Sequence, residues 1–389
     1  MAELTLRSAN GIAQVDPAAW DACAGSDNPF LLHGFLQAME ESGSASSRSG
    51  WRPAHLLVEN EAKELLAAAP LYVKSHSYGE YVFDWGWAEA WQNSGRDYYP
   101  KLQSAVPFTP ATGRRLLVRP DQDAAALAGV LGDAMIGIGE RNELSSAHIT
   151  FLTEGEAKHL AGRGWMLRIG EQYHWHNQGY RSFDDFLAAL SSRKRKAIRK
   201  ERERANALDV KIHCLSGADL KPQHWDAFYR FYLDTSDKKW GQAYLTRDFF
   251  DRLNGPLAER IMLVMAEQDG HWVAGALNFI GQDALFGRNW GSLGEFRFLH
   301  FEMCYYRAID FAIERGLAKV EAGAQGEHKI SRGYLPVPTY SVHWIREKPL
   351  RDAVGNFLNR ERTAMLRQIE LQAEEGPYRQ GNDDQGAEV

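Results

Sequence analysis

Two stretches of the sequence share one pattern of short apolar runs separated by polar turns, and this repeat constrains the fold most. Residues 55–87 and 261–292 each read as three consecutive strands, the third of which ends in aromatic residues. Each stretch is followed by a segment with helical periodicity and then by one more strand. Because a solenoid needs three or more repeats, two copies predict a duplicated α/β domain built on mixed sheets. In the first copy the predicted elements are strands at 55–59, 65–73 and 81–87, a helix at 98–106 and a strand at 114–118.

The repeat also predicts the domain boundaries. We expect an N-terminal domain over residues 1–180 and a C-terminal domain over residues 181–375, each large enough to bury its own core. The last residues, 376–389, are polar and are predicted to form a tail without fixed structure.

Composition and charge exclude several classes of protein. A chain of 389 residues with 44% hydrophobic and 25% charged residues is typical of a globular protein, and its net charge of −6 argues against a chain that coats nucleic acid. The three cysteines are scattered without metal or redox spacing, so we expect no metal site and a reducing, cytoplasmic location. No apolar run approaches the ~18 residues of a membrane helix, so we expect no integral membrane segment. The pattern specifies no oligomeric state.

A predicted helix, a short strand and a polar loop run from residue 300 to residue 341. The strand at 319–325 places Glu321 in the centre of a sheet. Six polar side chains crowd into twelve residues here: Glu321, Gln325, Glu327, His328, Lys329 and Arg332. Ligands of open α/β sheets sit beyond the carboxyl ends of strands, so this loop is the candidate site. The alternative is a surface loop in which Glu321 pairs with Lys319 or Arg332.

Two carboxylates of this segment are candidate proton acceptors. A buried carboxylate must be paired or have its pKa raised, and a Glu321 with a raised pKa would suit deprotonation of an amine. Glu302, on the preceding helix, either faces the same cleft or simply favours the helix N-terminus. The sequence His300-Phe301-Glu302 is similar to part of a zinc deaminase motif, but no Cys-x-x-Cys follows it, so zinc is not expected.

A run of basic residues opens the predicted C-terminal domain. Six positive charges precede the first acid, Glu201: Arg193, Lys194, Arg195, Lys196, Arg199 and Lys200. Such uncompensated charges in a net acidic chain predict an anionic partner, either a phosphate, a pyrophosphate-linked molecule or tRNA, bound by Arg195, Lys196 and Arg199. The alternative is a solvated helix face with pairs such as Arg199–Glu203.

Four motifs carry a resemblance to a known family. They are the basic segment RKRKAIRK, the helix HFEMCYY, the strand and loop EAGAQGEHK, and RGY at 332–334. With the repeated meander they resemble the Fem-type aminoacyltransferases of peptidoglycan synthesis, which carry two tandem Gcn5-related N-acyltransferase-like domains. The chain is most similar to the bacterial Fem-like proteins described as predicted N-acyltransferases or peptidoglycan biosynthesis and recognition proteins.

The resemblance implies transfer of an acyl or aminoacyl group from an activated ester or thioester donor to an amine. Glu321 or Glu302 would be the base, His328 could share that role, and Tyr305 or Tyr334 would be the acid. Candidate substrate-binding residues are Gln325, Glu327, Lys329, Arg332, Tyr334, Arg288, Trp290, Trp85 and Trp87. The acceptor would be a small-molecule or peptidoglycan-precursor amine, and no tightly bound cofactor is expected.

The donor stays open between acyl-CoA and aminoacyl-tRNA. The loop 291–299 lacks the Gln/Arg-x-x-Gly-x-Gly/Ala pattern that holds the CoA pyrophosphate in this fold, and Glu295 would repel a phosphate. Two other functions remain as alternatives. One is a non-catalytic module that recognises a peptidoglycan precursor or another anionic ligand, and the other is an RNA-binding protein that uses the basic helix.

Overall fold

The chain folds into two compact units, each built from several stretches of sequence. The computed structural model describes residues 3–239, 243–255, 257–324 and 326–379. The first unit comprises residues 1–170, 244–256 and 338–366, and the second comprises 171–243, 257–337 and 367–389. These bounds differ from the predicted 1–180 and 181–375, because a stretch after residue 243 and another after residue 337 return to the first unit. A linear repeat cannot reveal such returns.

The strands are β1 (Thr5–Ala9), β2 (Trp51–Pro53), β3 (His55–Glu59), β4 (Leu65–Ala69), β5 (Leu71–Lys74), β6 (Lys101–Ser104), β7 (Leu117–Val118), β8 (Ser146–Leu152), β9 (Met166–His176), β10 (Lys211–Leu215), β11 (Ile261–Gln268), β12 (His271–Ile280), β13 (Ala284–Ser292), β14 (Lys319–Glu321) and β15 (Leu335–Ile345). The helices are α1 (Pro17–Ala24), α2 (His33–Glu41), α3 (Trp85–Asn93), α4 (Ala124–Arg141), α5 (Glu154–Ala161), α6 (Phe183–Ala188), α7 (Ser192–Asn206), α8 (Pro222–Lys239), α9 (Arg247–Arg252), α10 (Leu299–Phe301), α11 (Arg307–Glu314) and α12 (Lys348–Glu374). A π-helical turn, Glu302–Tyr306, joins α10 to α11.

In the first unit, α4 connects two parallel strands of a mixed sheet. Strands β2, β5 and β6 pair antiparallel, β6 then pairs parallel with β8, and β8 pairs antiparallel with the end of β15. A second, antiparallel sheet has the order β1-β3-β4-β7. Asp123 caps the N-terminus of helix α4, because its side chain accepts from the Ala126 amide, and Leu131 of α4 packs in one core with Leu102 and Ile149 of the sheet.

In this unit the strands and helix predicted from the sequence repeat do not coincide with the observed elements. Residues 81–84 form no strand, and the predicted strand 81–87 ends inside helix α3. The predicted strand 65–73 is divided at Pro70 into β4 and β5, which belong to different sheets. Proline lacks the N–H that a continuous ladder requires, which explains the break. The expected helix at 98–106 is strand β6, and the crossover that matches the second copy is β6–α4–β8.

The second unit has the meander and crossover that the sequence predicts for it. Strands β10 to β13 pair antiparallel in sequence order, and β13 pairs parallel with β14 after the helical segment 299–314. Strand β14 pairs on its other side with β9 through His174 to His176. The core between sheet and helices includes Val264, Leu285 and Ile309. The predicted helix 183–208 is divided into α6 and α7.

The predicted tail begins later than residue 376. The Ser191 amide donates to the Pro377 carbonyl at 2.9 Å, and Tyr378 Oη donates to the Gly333 carbonyl at 2.9 Å. Residues 376–379 are therefore part of the second unit, and the remainder of the predicted tail, 380–389, lies outside the described residues. Within the described residues no helix has the length and apolarity that crossing a membrane requires.

Candidate functional site

The parallel strands of the second unit separate at the point where the polar loop begins. Strands β13 and β14 pair at three positions, the last of which is Phe286 with Glu321. Strand β13 continues to Ser292, and Arg288 is the extra residue of a bulge opposite β12. Beyond Glu321 the pairing with β13 ends, while the chain stays bonded on the β9 side, where the Ala322 amide donates to the Tyr173 carbonyl. Strands that part in this way place the following loop at the carboxyl end of the sheet, where ligands of α/β folds bind.

The helix of the crossover contains an irregularity at this end. The Arg307 amide donates to the Glu302 carbonyl five residues earlier, which makes Glu302–Tyr306 a π-helical turn. Phe298, just before α10, has a left-handed backbone conformation with φ of 68°. Single π turns inside α-helices are frequent at functional sites, because the extra residue redirects the side chains. Here the turn carries Tyr305.

Tyr305 and His328 form a hydrogen-bonded pair beside a third polar ring. Tyr305 Oη lies 3.1 Å from His328 Nε2. Tyr305 is 5% exposed, and burial raises the pKa of its phenol, so the hydroxyl keeps its proton and can donate to the imidazole. His328 is exposed, and the ring of His300 lies 5.3 Å from that of Tyr305 and 5.2 Å from that of Trp290. The pair therefore links a protonated phenol to a solvent-accessible imidazole.

Glu321 is an ion-pair partner within its own strand. The carboxylate is 3% exposed, and its Oε1 accepts from Lys319 Nζ at 2.7 Å. His174 Nε2 lies 3.8 Å from Oε2, but burial lowers the pKa of His174 to about 4, so this imidazole is neutral near pH 7. Oε2 has no hydrogen-bond partner among the described residues. The pairing with Lys319 is the one that the sequence analysis gave as the surface-loop alternative, although the carboxylate is buried. A role of Glu321 as a base would have to use Oε2.

Glu302 holds the π turn to helix α7. It is fully buried, and Arg202 donates to both of its oxygens at 3.1 Å, while Arg307 Nε lies 2.9 Å from Oε1. Arg202 also donates to Asp310 at 2.6 Å. A carboxylate with both oxygens occupied by guanidinium groups has the geometry of a structural anchor rather than of a proton acceptor.

The cationic and phenolic residues of the loop make internal contacts. Lys329 donates to the Ala322 carbonyl at 2.6 Å and to the Gly323 carbonyl at 3.3 Å. Arg332 donates to both oxygens of Glu201, at 2.7 and 3.1 Å, and its guanidinium lies 3.5 Å from the centre of the Phe301 ring. Tyr334 donates to the Tyr305 carbonyl at 3.0 Å. These three buried side chains fix the loop, and the charges of Lys329 and Arg332 are not presented to solvent.

Comparison with known proteins identifies the family. The family model FemAB_like, described as peptidoglycan biosynthesis/recognition, matches residues 11–380. The chain belongs to this family. No curated protein matches the sequence significantly.

Solved structures confirm the fold of this Fem-like chain. FemX is 12% identical with a TM-score of 0.56, over 88% of this chain and 98% of FemX. The C-terminal domain of a putative lysylphosphatidylglycerol synthetase from Agrobacterium fabrum is 11% identical with a TM-score of 0.54, over 88% and 96%. A conserved protein of unknown function from Bacteroides thetaiotaomicron is 11% identical with a TM-score of 0.51, over 88% and 100%. The predicted class, mixed α/β with tandem Gcn5-related N-acyltransferase-like domains, is thus confirmed.

The remaining predicted residues lie in several places of the Fem-like chain. Gln325 lies outside the described residues. On the loop Glu327 is exposed, and on β13 Arg288 and Trp290 are half-buried. Trp85 is 40% exposed in the first unit, whereas Trp87 is buried there, with its ring 5.0 Å from that of His343. Trp87 is therefore a core residue rather than a ligand platform.

The basic helix α7 has one face in the core and one in solvent. Ile198 is buried, Arg195 is half-buried, and Lys196 and Arg199 are exposed. Arg199 lies 3.3 Å from Asp184 in an exposed contact. The anion-binding role of these residues remains a prediction.

Several partners of the site residues are brought together only by the fold and are missed by the sequence analysis. Glu201 and Arg202 belong to the basic helix in the sequence, and His174 lies far from the loop. His300 enters the sequence analysis only as part of a zinc motif. His300 and Tyr305 are five residues apart. This spacing places both side chains near one face of a helix only when a π turn intervenes, so their proximity could be inferred only by expecting such a turn.

Proposed function

We propose that this Fem-like protein is a transferase that moves an acyl or aminoacyl group from an activated ester or thioester to an amine. The observation that carries the proposal is the Tyr305–His328 pair, 3.1 Å apart, beyond the separating ends of β13 and β14. Family membership supports a peptidoglycan-precursor amine as the acceptor. The reaction centre then lies entirely in the second unit.

In the proposed reaction the amine attacks the carbonyl carbon of the donor. The C–N bond forms, the C–O or C–S bond to the leaving group breaks, the amine loses one proton and the leaving group gains one. Tyr305 Oη turns its proton from His328 Nε2 to the leaving group, and the lone pair of Nε2 that is thereby freed receives the proton of the amine. The hydrogen bond between the two side chains then returns the proton from His328 to Tyr305. Glu321 Oε2 is the second candidate base, acting through water.

The donor that the sequence favours least is acyl-CoA. Glu295 is exposed in the loop that binds CoA pyrophosphate in this fold, and the loop lacks the required pattern. The exposed charges of Lys196 and Arg199 support a polyanionic donor such as aminoacyl-tRNA. The choice between donors is part of the test.

The test is a transfer assay with a UDP-linked muropeptide as acceptor and with acetyl-CoA, a long-chain acyl-CoA or aminoacyl-tRNA as donor. Product is measured by mass spectrometry. We expect transfer from one donor class, and a loss of about 10²-fold in rate for Tyr305→Phe and for His328→Gln. His213→Gln is the matched control, because His213 lies on β10 of the same unit and pairs with Glu267 of β11. Tight binding of the muropeptide without transfer from any donor would favour the recognition module instead.

A further inference from the structure

One face of the mixed sheet in the first unit is both buried and polar. Side chains alternate along a strand, so Leu102 faces α4 while Lys101 and Gln103 face the other side. The side chains of this second face come from four neighbouring strands: Tyr72 and Lys74 on β5, Lys101 and Gln103 on β6, Ser146, His148 and Thr150 on β8, and Ser341 and His343 on β15. All are buried. A sheet face enclosed in a core is ordinarily apolar, so this one requires a specific explanation.

Two lysines stand directly opposite one another on this face. Lys74 of β5 and Lys101 of β6 are register partners, and both side chains are 0% exposed. Like charges at opposed positions of a sheet destabilise it, and burial adds the loss of hydration of both ammonium groups. An anion beside the two ammonium groups offsets this cost.

The anion comes from a strap, residues 75–84, that crosses this face without forming a helix or strand. Glu80 of the strap places Oε2 2.7 Å from Lys101 Nζ, and its Oε1 lies 3.8 Å from Lys74 Nζ. Asp84, where the strap ends, lies 2.5 Å from Lys101 Nζ. Neither Glu80 Oε1 nor Asp84 Oδ1 has a hydrogen-bond partner among the described residues. With the strap in place, two buried carboxylate oxygens lack hydrogen-bond partners, which costs free energy. Another anion could therefore take the place of the strap carboxylate.

The outer side of the strap is also unusual. Tyr78 and Phe83 are each 55% exposed, and their neighbour Trp85 is 40% exposed. Polar contacts help to hold the strap: Lys74 donates to the Tyr78 carbonyl, Lys101 donates to Ser77 Oγ, and Arg168 donates to the Phe83 carbonyl. Burial raises the pKa of Glu80 to about 7 and lowers that of Lys74 to about 7, so the attraction between these two groups is weak near neutral pH.

We propose that Lys74 and Lys101 form a binding site for the carboxylate of a ligand, and that Glu80 of the strap occupies this site as an internal substitute. A ligand carboxylate displaces Glu80, bridges the two ammonium groups and releases the strap, whose aromatic side chains then become free to contact the rest of the ligand. This site is separate from the proposed reaction centre and is independent of the proposed function.

The first experiment uses the full-length wild-type protein. Hydrogen exchange of the strap amides is measured by mass spectrometry in sodium acetate and in sodium chloride at equal ionic strength. We expect acetate to speed exchange in peptides that cover residues 75–84 several-fold more than chloride does. Equal exchange in the two salts up to molar acetate overturns the proposal. Sodium phosphate is a third arm, and a response to phosphate that exceeds the response to acetate overturns the assignment to a carboxylate.

The second experiment measures acetate affinity by calorimetry for variants of the full chain. Glu80→Ala is expected to bind acetate at least tenfold more tightly than the wild type, and the additional change Lys74→Met is expected to cancel the gain. Glu59→Ala, which removes an ion-paired carboxylate near the surface of the same unit, is the control and should match the wild type. A folded Glu80→Ala that binds no more tightly than the wild type contradicts the proposal. If Glu80→Ala does not fold, the exchange experiment on the wild type decides.

Discussion

The two units use the same strand–helix–strand crossover but place their polar groups differently. In the first unit β8 runs for seven residues, all buried, and the polar face beside it is covered by the strap. In the second unit β14 stops after three residues, and the loop that follows carries the exposed His328. Each crossover pairs its parallel strands at three positions, so what differs is the covering segment: the strap encloses the polar face in the first unit, whereas the loop after β14 leaves His328 accessible. This difference explains why we assign the chemistry to the second unit.

The largest expected effect comes from the enclosed network. Lys101→Met leaves Glu80 and Asp84 without their common ammonium group, and removal of one partner from a buried ion pair typically costs about 3–5 kcal/mol in the free energy of unfolding. Urea unfolding measures the change. Lys158→Met is the control, because its pair with Glu154 is exposed and screened by solvent and should contribute far less to stability. Similar decreases for the two variants would show that the network is not enclosed as described.

The second prediction distinguishes the roles of two tyrosines, Tyr305 in the second unit and Tyr98 in the first, each of which donates a hydrogen bond near a crossover. Tyr305→Phe should reduce transfer about 10²-fold with little change in stability. Tyr98→Phe removes a donor to Asp84 in the first unit, where Tyr98 Oη lies 2.8 Å from Oδ2, so it should lower stability by about 1–3 kcal/mol and leave the rate per folded molecule unchanged. Rates at saturating substrate and urea midpoints are measured for both. A reduced rate in Tyr98→Phe would place chemistry in the first unit as well.

The two units also differ in how well their elements can be predicted from the sequence. The second unit is predicted correctly as a meander and crossover, because its strands are continuous and β14 follows Gly316 after one helix. The first unit is misaligned, because Pro70 divides one apolar run between two sheets and the crossover helix comes after an inserted strand. At the site, polar density is enough to find the segment, but the ion pairs of Glu302 and Arg332 involve α7, which lies 100 and 131 residues away in sequence. Local periodicity carries no information about such distant partners.

A third prediction concerns the stability of the fold at acidic pH. Burial lowers the pKa of His148 in the first unit to about 3 and that of His174 in the second unit to about 4. Below the ordinary histidine pKa of about 6.5 the two histidines bind protons in the unfolded chain but stay neutral in the folded protein. Their contribution to stability is therefore complete above pH 6.5 and is lost as the pH falls towards 4. Each histidine contributes a slope of up to about 1.4 kcal/mol per pH unit.

The histidine slopes are measured by urea unfolding at pH 7, 6 and 5. Glu80 acts in the opposite direction, because burial raises its pKa to about 7 and the folded protein binds its proton more tightly than the unfolded chain does. The informative quantity is therefore the difference between variants. His148→Gln and His174→Gln should each flatten the acid dependence relative to the wild type, and parallel curves would contradict burial of the neutral imidazoles.

The smallest expected effect tests the basic helix α7, for which the described helices of the first unit offer no counterpart of similar charge. Replacing Arg195, Lys196 and Arg199 by Gln should weaken tRNA binding about tenfold at low salt and reduce the slope of log K against log salt by about 2, since each phosphate that is no longer neutralised removes about 0.7–0.9 of that slope. Fluorescence anisotropy with labelled tRNA between about 50 and 200 mM salt measures both quantities. The control replaces Lys158, Lys238 and Lys348 by Gln, because these exposed lysines each pair with an acid one helical turn away. Equal effects of the two triple variants would mean that only net charge attracts the anion, and helix α7 would then be a solvated surface anchored by Glu302.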